Sequence, residues 1–339
     1  MTRRIWTGLV SSFGMLLLIL DAKTALQGAT EGMNLCIRSI IPSLFPFFLM
    51  SVLLTDALTG IHFPFLRPLG KICGIPKGSE SLLAVGLLGG YPVGAQCVAQ
   101  AYKTGQLSRH DAGRMLGFCS NAGPSFIFGI LGGLFSSPST AWALWLIHII
   151  SAMVVGMTLP GNRQAAAAVF QNKIITPPEA LERTIKIMAS VCGWVVLFRI
   201  VISFLNRWVL WLFPHVLQTV IIGFLELTNG CCLLTDIENE GLRFILASCF
   251  LALGGSCVAM QTMAVTGKMG TGLYFPGKIM QTVISFLMAW CYQILLFPRH
   301  FRITFRPIIL SPVLIVLIMI FLYLKKHKNN SSIPALSDV

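Results

Sequence analysis

LLGGYPVGAQCVAQAYKTGQ, Leu87 to Gln106, is apolar enough to lie at membrane depth, yet Gly89, Gly90, Pro92 and Gly94 spoil it as a plain helix. Glycine loosens the backbone and proline removes an N–H donor. Hydrocarbon tolerates such backbone only where protein or a water-lined cavity satisfies the freed groups. Tyr91 and Gln96 place polar side chains at the break. Interrupted segments of this kind are where transporters hold their solutes. A second stretch, LGGSCVAMQTMAVTGK from Leu253 to Lys268, repeats the pattern. Gly89, Gly90, Val93, Gln96, Ala99 and Lys103 recur as Gly254, Gly255, Val258, Gln261, Ala264 and Lys268.

The bulk composition agrees. Of 339 residues 55% are hydrophobic and 11% charged, and mean hydropathy is +0.79. That describes an all-α polytopic membrane protein. The net charge of +13 is spread through loops and not gathered in a patch, so it reads as membrane topology and argues against nucleic acid as a partner. The ten cysteines include no CxxC pair, which argues against a disulfide scaffold or a zinc site. No HExxH, GxSxG or P-loop pattern is present, so neither an enzyme nor a cofactor is expected.

Outward from the first break, Ile5 to Leu20 reads as an uncleaved first span within an N-terminal unit, residues 1–24. Ala25 to Arg38 has the spacing of an interfacial helix, leading into a proline-kinked span, Ile41 to Leu54. The flanking loops are basic, which favours a re-entrant hairpin for the first break. Ser108 caps a helix from Arg109 to Cys119, which breaks at SNAGPSF, Ser120 to Phe126. Thr140 to Leu159 is a clear span. A first repeat thus covers residues 25–160, and a polar loop, 161–178, joins it to a second, 179–324. There the spans are Ile187 to Leu205, a tilted or interfacial Trp208 to Leu225, the second break, Gly277 to Phe297 and Ile308 to Leu324. A basic tail, 325–339, ends the chain. Two matched features in one order predict an internal duplication, taken here as inverted.

Several polar groups converge on the breaks. Gln96 and Gln261 each offer donor and acceptor. Asn121 and Asn229 sit beside glycines, and Glu226 ends an apolar run, where a carboxylate needs a partner or a cavity. His148 is an isolated intramembrane histidine. Arg38 and Lys186 read as snorkelling side chains, whereas Arg199 lies deeper and is a candidate for drawing an anion inward.

The motifs IPSLFPF, GGYPVGA, FCSNAGPSFIFG, LELTNG and GGSCVAMQ, in this order, resemble the YlbJ-like sporulation integral membrane proteins. Those carry the nucleoside recognition (Gate) domain. The resemblance runs from about Glu31 to Leu296 and is most specific at GYPVGA and SNAGPSF. It implies a multi-pass protein of the bacterial cell membrane, in the outer forespore membrane, that moves dipicolinate during sporulation. The family motif falls on Gly90, Tyr91, Pro92, Gly94, Asn121, Gly123, Pro124, Glu226, Gly230, Gly254, Gly255 and Gln261. Where the family has Gly-Gly-Leu-Ser-Val, this chain has Ser256 and Cys257 in the Leu and Ser places. The expected solute is therefore small, polar and anionic, held by these residues with Gly89, Gln96, Asn229 and Ser256. A nucleoside carrier and a non-transporting scaffold of spore assembly are the alternatives. Lipid is the expected surrounding, and homo-oligomer formation and the coupling ion stay open.

Overall fold

The computed structural model describes residues 2–58, 66–159 and 175–296. The span at Ile308 to Leu324, the basic tail and most of the loop 161–178 lie outside these residues. Among the described residues the chain is helical, without strands. Six helical runs among the described residues are long and apolar enough to cross a membrane, from Pro138–Thr158 at 21 residues to Ala22–Ala57 at 36. At 1.5 Å per residue even the shortest matches a hydrocarbon core of about 30 Å. The chain is a multi-pass membrane protein.

Helix α1, Thr2–Leu20, is exposed along most of its apolar surface and meets the start of α2, Ala22–Leu35. A π-helical turn, Cys36–Ile40, joins α2 to α3, Ile41–Leu58. The Ile41 N–H reaches back to the Cys36 carbonyl, one residue before Pro42 withdraws a donor. The expected interfacial helix, Ala25 to Arg38, is therefore the first half of a spanning run. Its small residues explain the difference. A Cβ on Gly28 would lie 2.9 Å from the Ile200 Cα, and one on Gly32 would lie 2.9 Å from the Val196 Cα. The side lacking side chains is pressed along the helix Pro177–Trp208 and does not lie on a membrane surface.

Helix α4, Arg67–Ile72, precedes two short helices, α5, Glu80–Leu88, and α6, Val93–Lys103. Neither is long enough to cross alone, and they pack on each other. Buried Arg114 ties the connecting loop down, donating to the Cys73, Gly74 and Gly156 carbonyls. Helix α7, Arg109–Cys119, starts as expected: the Ser108 hydroxyl accepts the Asp111 N–H at 3.0 Å. One turn, α8, Pro124–Phe126, leads through a π turn to α9, Pro138–Thr158.

Helix α10, Pro177–Trp208, opens with a Thr176–Glu179 capping box. The segment read as one element from Trp208 to Leu225 is divided at Phe213 and Pro214. Pro214 has no N–H to continue the helix, so only α11, His215–Leu225, remains. Then come α12, Leu227–Leu233; α13, Glu240–Leu253; α14, Gly255–Thr266; and α15, Tyr274–Leu296. Helices α7 and α15 touch backbone to backbone: a Cβ on Gly113 would lie 3.1 Å from the Gly272 Cα, and a Cβ on Gly117 2.9 Å from the Leu273 carbonyl. The Leu273 N–H donates to the Gly113 carbonyl at 2.9 Å.

Candidate functional site

Four interruptions of helix come together as two nested pairs. At the first, α5 ends at Gly89, Gly90 takes φ +77°, the Tyr91–Pro92 peptide is cis, and α6 begins at Val93. Gly90 lies against Gly123 in the SNAGPSF break, where a Cβ on Gly123 would stand 3.0 Å from the Gly90 Cα. Gly94 faces the Cys119 carbonyl so closely that any side chain there would collide with it. Pro124 is the first residue of α8. In the second pair Gly254 and Gly255 take φ +75° and +78°. A Cβ on Gly255 would lie 3.2 Å from the Gly223 and Phe224 carbonyls, next to the break at Glu226. Positive φ at adjacent residues is a conformation that side chains resist, which is the physical use of both glycines.

The two pairs meet through Tyr91. A Cβ on Gly254 would be 3.1 Å from the Tyr91 Cζ, and the Tyr91 hydroxyl donates to the Leu251 carbonyl at 3.2 Å. Beside this junction is a cavity of about 40 Å³. Its lining is mainly apolar, from residues such as Phe48, Phe126, Val191 and Val258, with polar groups from Tyr91, Ser125, Glu226, Thr228 and Gln261 and backbone from Gly90 and Gly123. Glu226 is buried and caps α12, accepting N–H bonds from Thr228 at 3.1 Å and Asn229 at 2.7 Å, and the Asn229 side-chain amide at 2.7 Å. Gln261 donates to the Cys257 sulfur at 3.4 Å, a weak acceptor. The Ser125 hydroxyl is buried and has no hydrogen-bond partner among the described residues.

Behind Tyr91 lies a polar network inside the protein. The Lys278 ammonium, only 1% exposed, donates to the Tyr91 hydroxyl at 3.1 Å, Asn121 Oδ1 at 3.4 Å and Gln281 Oε1 at 2.7 Å. Gln281 Nε2 donates to Asn121 Oδ1 at 3.1 Å and to the His148 carbonyl at 3.3 Å. Asn121 Nδ2 donates to the Gly86 and Phe118 carbonyls. His148 is part of this cluster and not isolated: its Nε2 accepts the Ala122 N–H at 3.1 Å.

Of the residues expected at the site, Gly90, Tyr91, Gly123, Glu226 and Gln261 line the cavity. Asn229 holds Glu226 and Gly254 packs against Tyr91, while Asn121, Gly89 and Gly255 are not among the lining residues. Gln96 is half-exposed on α6 and is not among the lining residues. It faces away because Gly94 and Ala95 are the positions that press into the core. Ser256 donates to the Phe224 carbonyl at 3.3 Å. Arg199 is not available to an incoming anion, since its Nε pairs with Glu31 at 3.0 Å. Sequence reasoning missed Ser125, Lys278 and Gln281. Lys278 and Gln281 stand three apart on one face of an apolar run, a signal that marked them out in retrospect.

The chain is 24% identical over 335 residues to the sporulation integral membrane protein YlbJ of Bacillus subtilis (strain 168), covering 83% of this chain and 81% of that protein. The resemblance carried by the break motifs thus extends over most of both chains. No protein-family model matches the chain, and no solved structure is significantly similar to it.

Proposed function

We propose that the protein is a membrane transporter of a small polar, anionic solute, acting in sporulation and bound where the two nested pairs of breaks meet. The observation that carries the reading is the contact of Tyr91 with Gly254 and Leu251, remote in sequence, beside a mainly apolar cavity into which Tyr91, Ser125, Glu226, Thr228 and Gln261 bring polar groups. Irregular backbone at membrane depth belongs around a solute path. In this reading α5–α6 and α13–α14 are re-entrant hairpins of two inverted repeats, and relative movement of the repeats alternates access. The cavity of about 40 Å³ has room for one or two waters, far below the few hundred Å³ that a ligand of drug size occupies. Solute binding therefore requires the pairs to part. By resemblance the solute is dipicolinate and the membrane is the outer forespore membrane.

The test is uptake by the purified full chain in liposomes, with pyridine-2,6-dicarboxylate and uridine as probes. Dicarboxylate uptake that Gln261→Leu weakens supports the reading, and uridine uptake with dicarboxylate excluded turns it into a nucleoside carrier. Unchanged uptake in a folded Gln261→Leu variant removes the cavity from the path. The small cavity also favours a second reading, a membrane scaffold of spore assembly, which predicts no flux of either probe and a stable partner in detergent.

A further inference from the structure

Lys278 is the unusual charge in this molecule. A lysine buried inside the protein is costly unless something compensates it. Among the described residues none of the ion pairs includes it. Its neighbours Tyr91, Asn121 and Gln281 offer neutral oxygens. The buried carboxylate of Glu226 is occupied by Thr228 and Asn229. The other deep cations are committed: Arg199 to Glu31, and Arg114 to three backbone carbonyls of the α4–α5 loop and α9. Tyr91 connects Lys278 to the cavity. It lines the cavity, and its hydroxyl takes one of the three ammonium donors, with Nζ 5.2 Å from the ring centroid.

Resting on the transport reading above, we infer that Lys278 is the fixed cation that receives a carboxylate, or another singly charged oxyanion group, of the transported solute. The Tyr91 hydroxyl holds that place until the anion arrives. A phenol and a carboxylate oxygen offer the same ammonium hydrogen an acceptor, and the charged one binds it more strongly. Ser125 and Gln261 then lie on the cavity side, with an unpartnered hydroxyl and a weakly engaged amide for the rest of the solute.

The experiment uses the full chain in liposomes with pyridine-2,6-dicarboxylate as probe. Lys278→Gln, eluting and melting as the parent does, is expected to raise KM at least ~30-fold, the lower end of what removing one partner of a buried charge pair does. Tyr91→Phe removes the competing hydroxyl and is expected to lower KM. A purely structural network predicts that both variants lose function together. An unchanged KM in folded Lys278→Gln, or a KM that Tyr91→Phe does not lower, overturns the assignment. If Lys278→Gln does not fold, Tyr91→Phe decides alone: a lower KM supports it, and an equal or higher one ends it. Absence of flux in the parent refutes the transport reading itself, which is a different outcome.

Discussion

Gly254→Ala separates two costs that coincide where the breaks meet. The first is backbone strain: at φ +75° and ψ −16° a side chain is unfavourable by about 1–2 kcal/mol. The second is contact. The new Cβ would lie 3.1 Å from the Tyr91 Cζ and 3.2 Å from its hydroxyl oxygen, so the ring must shift by a few tenths of an ångström. That shift loosens two hydrogen bonds, to Leu251 at 3.2 Å and from Lys278 at 3.1 Å, each contributing about 1 kcal/mol. The sum is about 2–4 kcal/mol. Gly105→Ala isolates the strain, because Gly105 has the same φ of +75° and nothing within 4 Å of the added carbon. Reversible unfolding in mixed detergent measures both, and Gly254→Ala is expected to be worse by about 1–2 kcal/mol. Combining it with Tyr91→Leu relieves the crowding, so the double variant should be less destabilised than the sum by at least about 0.5 kcal/mol. Equal losses at Gly105 and Gly254, with additive behaviour toward Tyr91, would refute the meeting of the two breaks.

Four further outcomes follow from the packing. Gly28→Ala places a carbon 2.9 Å from the Ile200 Cα and should cost about 1–3 kcal/mol in the same unfolding assay. Gly8→Ala, with open space around it, should be neutral or slightly stabilising. Glu226→Ala removes the α12 cap and leaves buried N–H groups of Thr228 and Asn229 without an acceptor, a loss of at least about 2 kcal/mol; Glu226→Gln should recover part of it. Arg114→Met orphans the Cys73, Gly74 and Gly156 carbonyls, so the loop should loosen and buried Cys73 should react with maleimide faster than in the parent.

Much of the fold is written locally and could be read there. The Ser108 cap, the helix that ends at Cys119 and the span beginning near Pro138 depend on neighbours within a few residues. The breaks were legible for the same reason, since glycine and proline act on their own backbone. Contacts between distant elements were not. Ala25 to Arg38 has an amphipathic spacing, and sequence alone cannot distinguish a face turned to headgroups from one pressed on α10. Arg199 read as an available charge because Glu31 is 168 residues away. Gln96 and Gln261 match between the two interrupted stretches of sequence, yet one is half-exposed and the other buried, because the helices that follow the two breaks pack differently. Lys278 was hidden by its place near the start of an apolar run, where a lysine ordinarily reaches the interface. Its burial depends on α15 being drawn against α7 by glycines that carry no charge signal.

That last contact limits how the molecule can change shape. With Gly113 and Gly117 seated against Gly272, Leu273 and Gly277, the two helices meet as key and keyway. Displacing one along the other by a single residue would drive a side-chain carbon into the opposing main chain. Lys278 directly follows Gly277, and Asn121 lies two residues beyond the end of α7. The ammonium and the amide that steadies it are therefore mounted on one stiff strut.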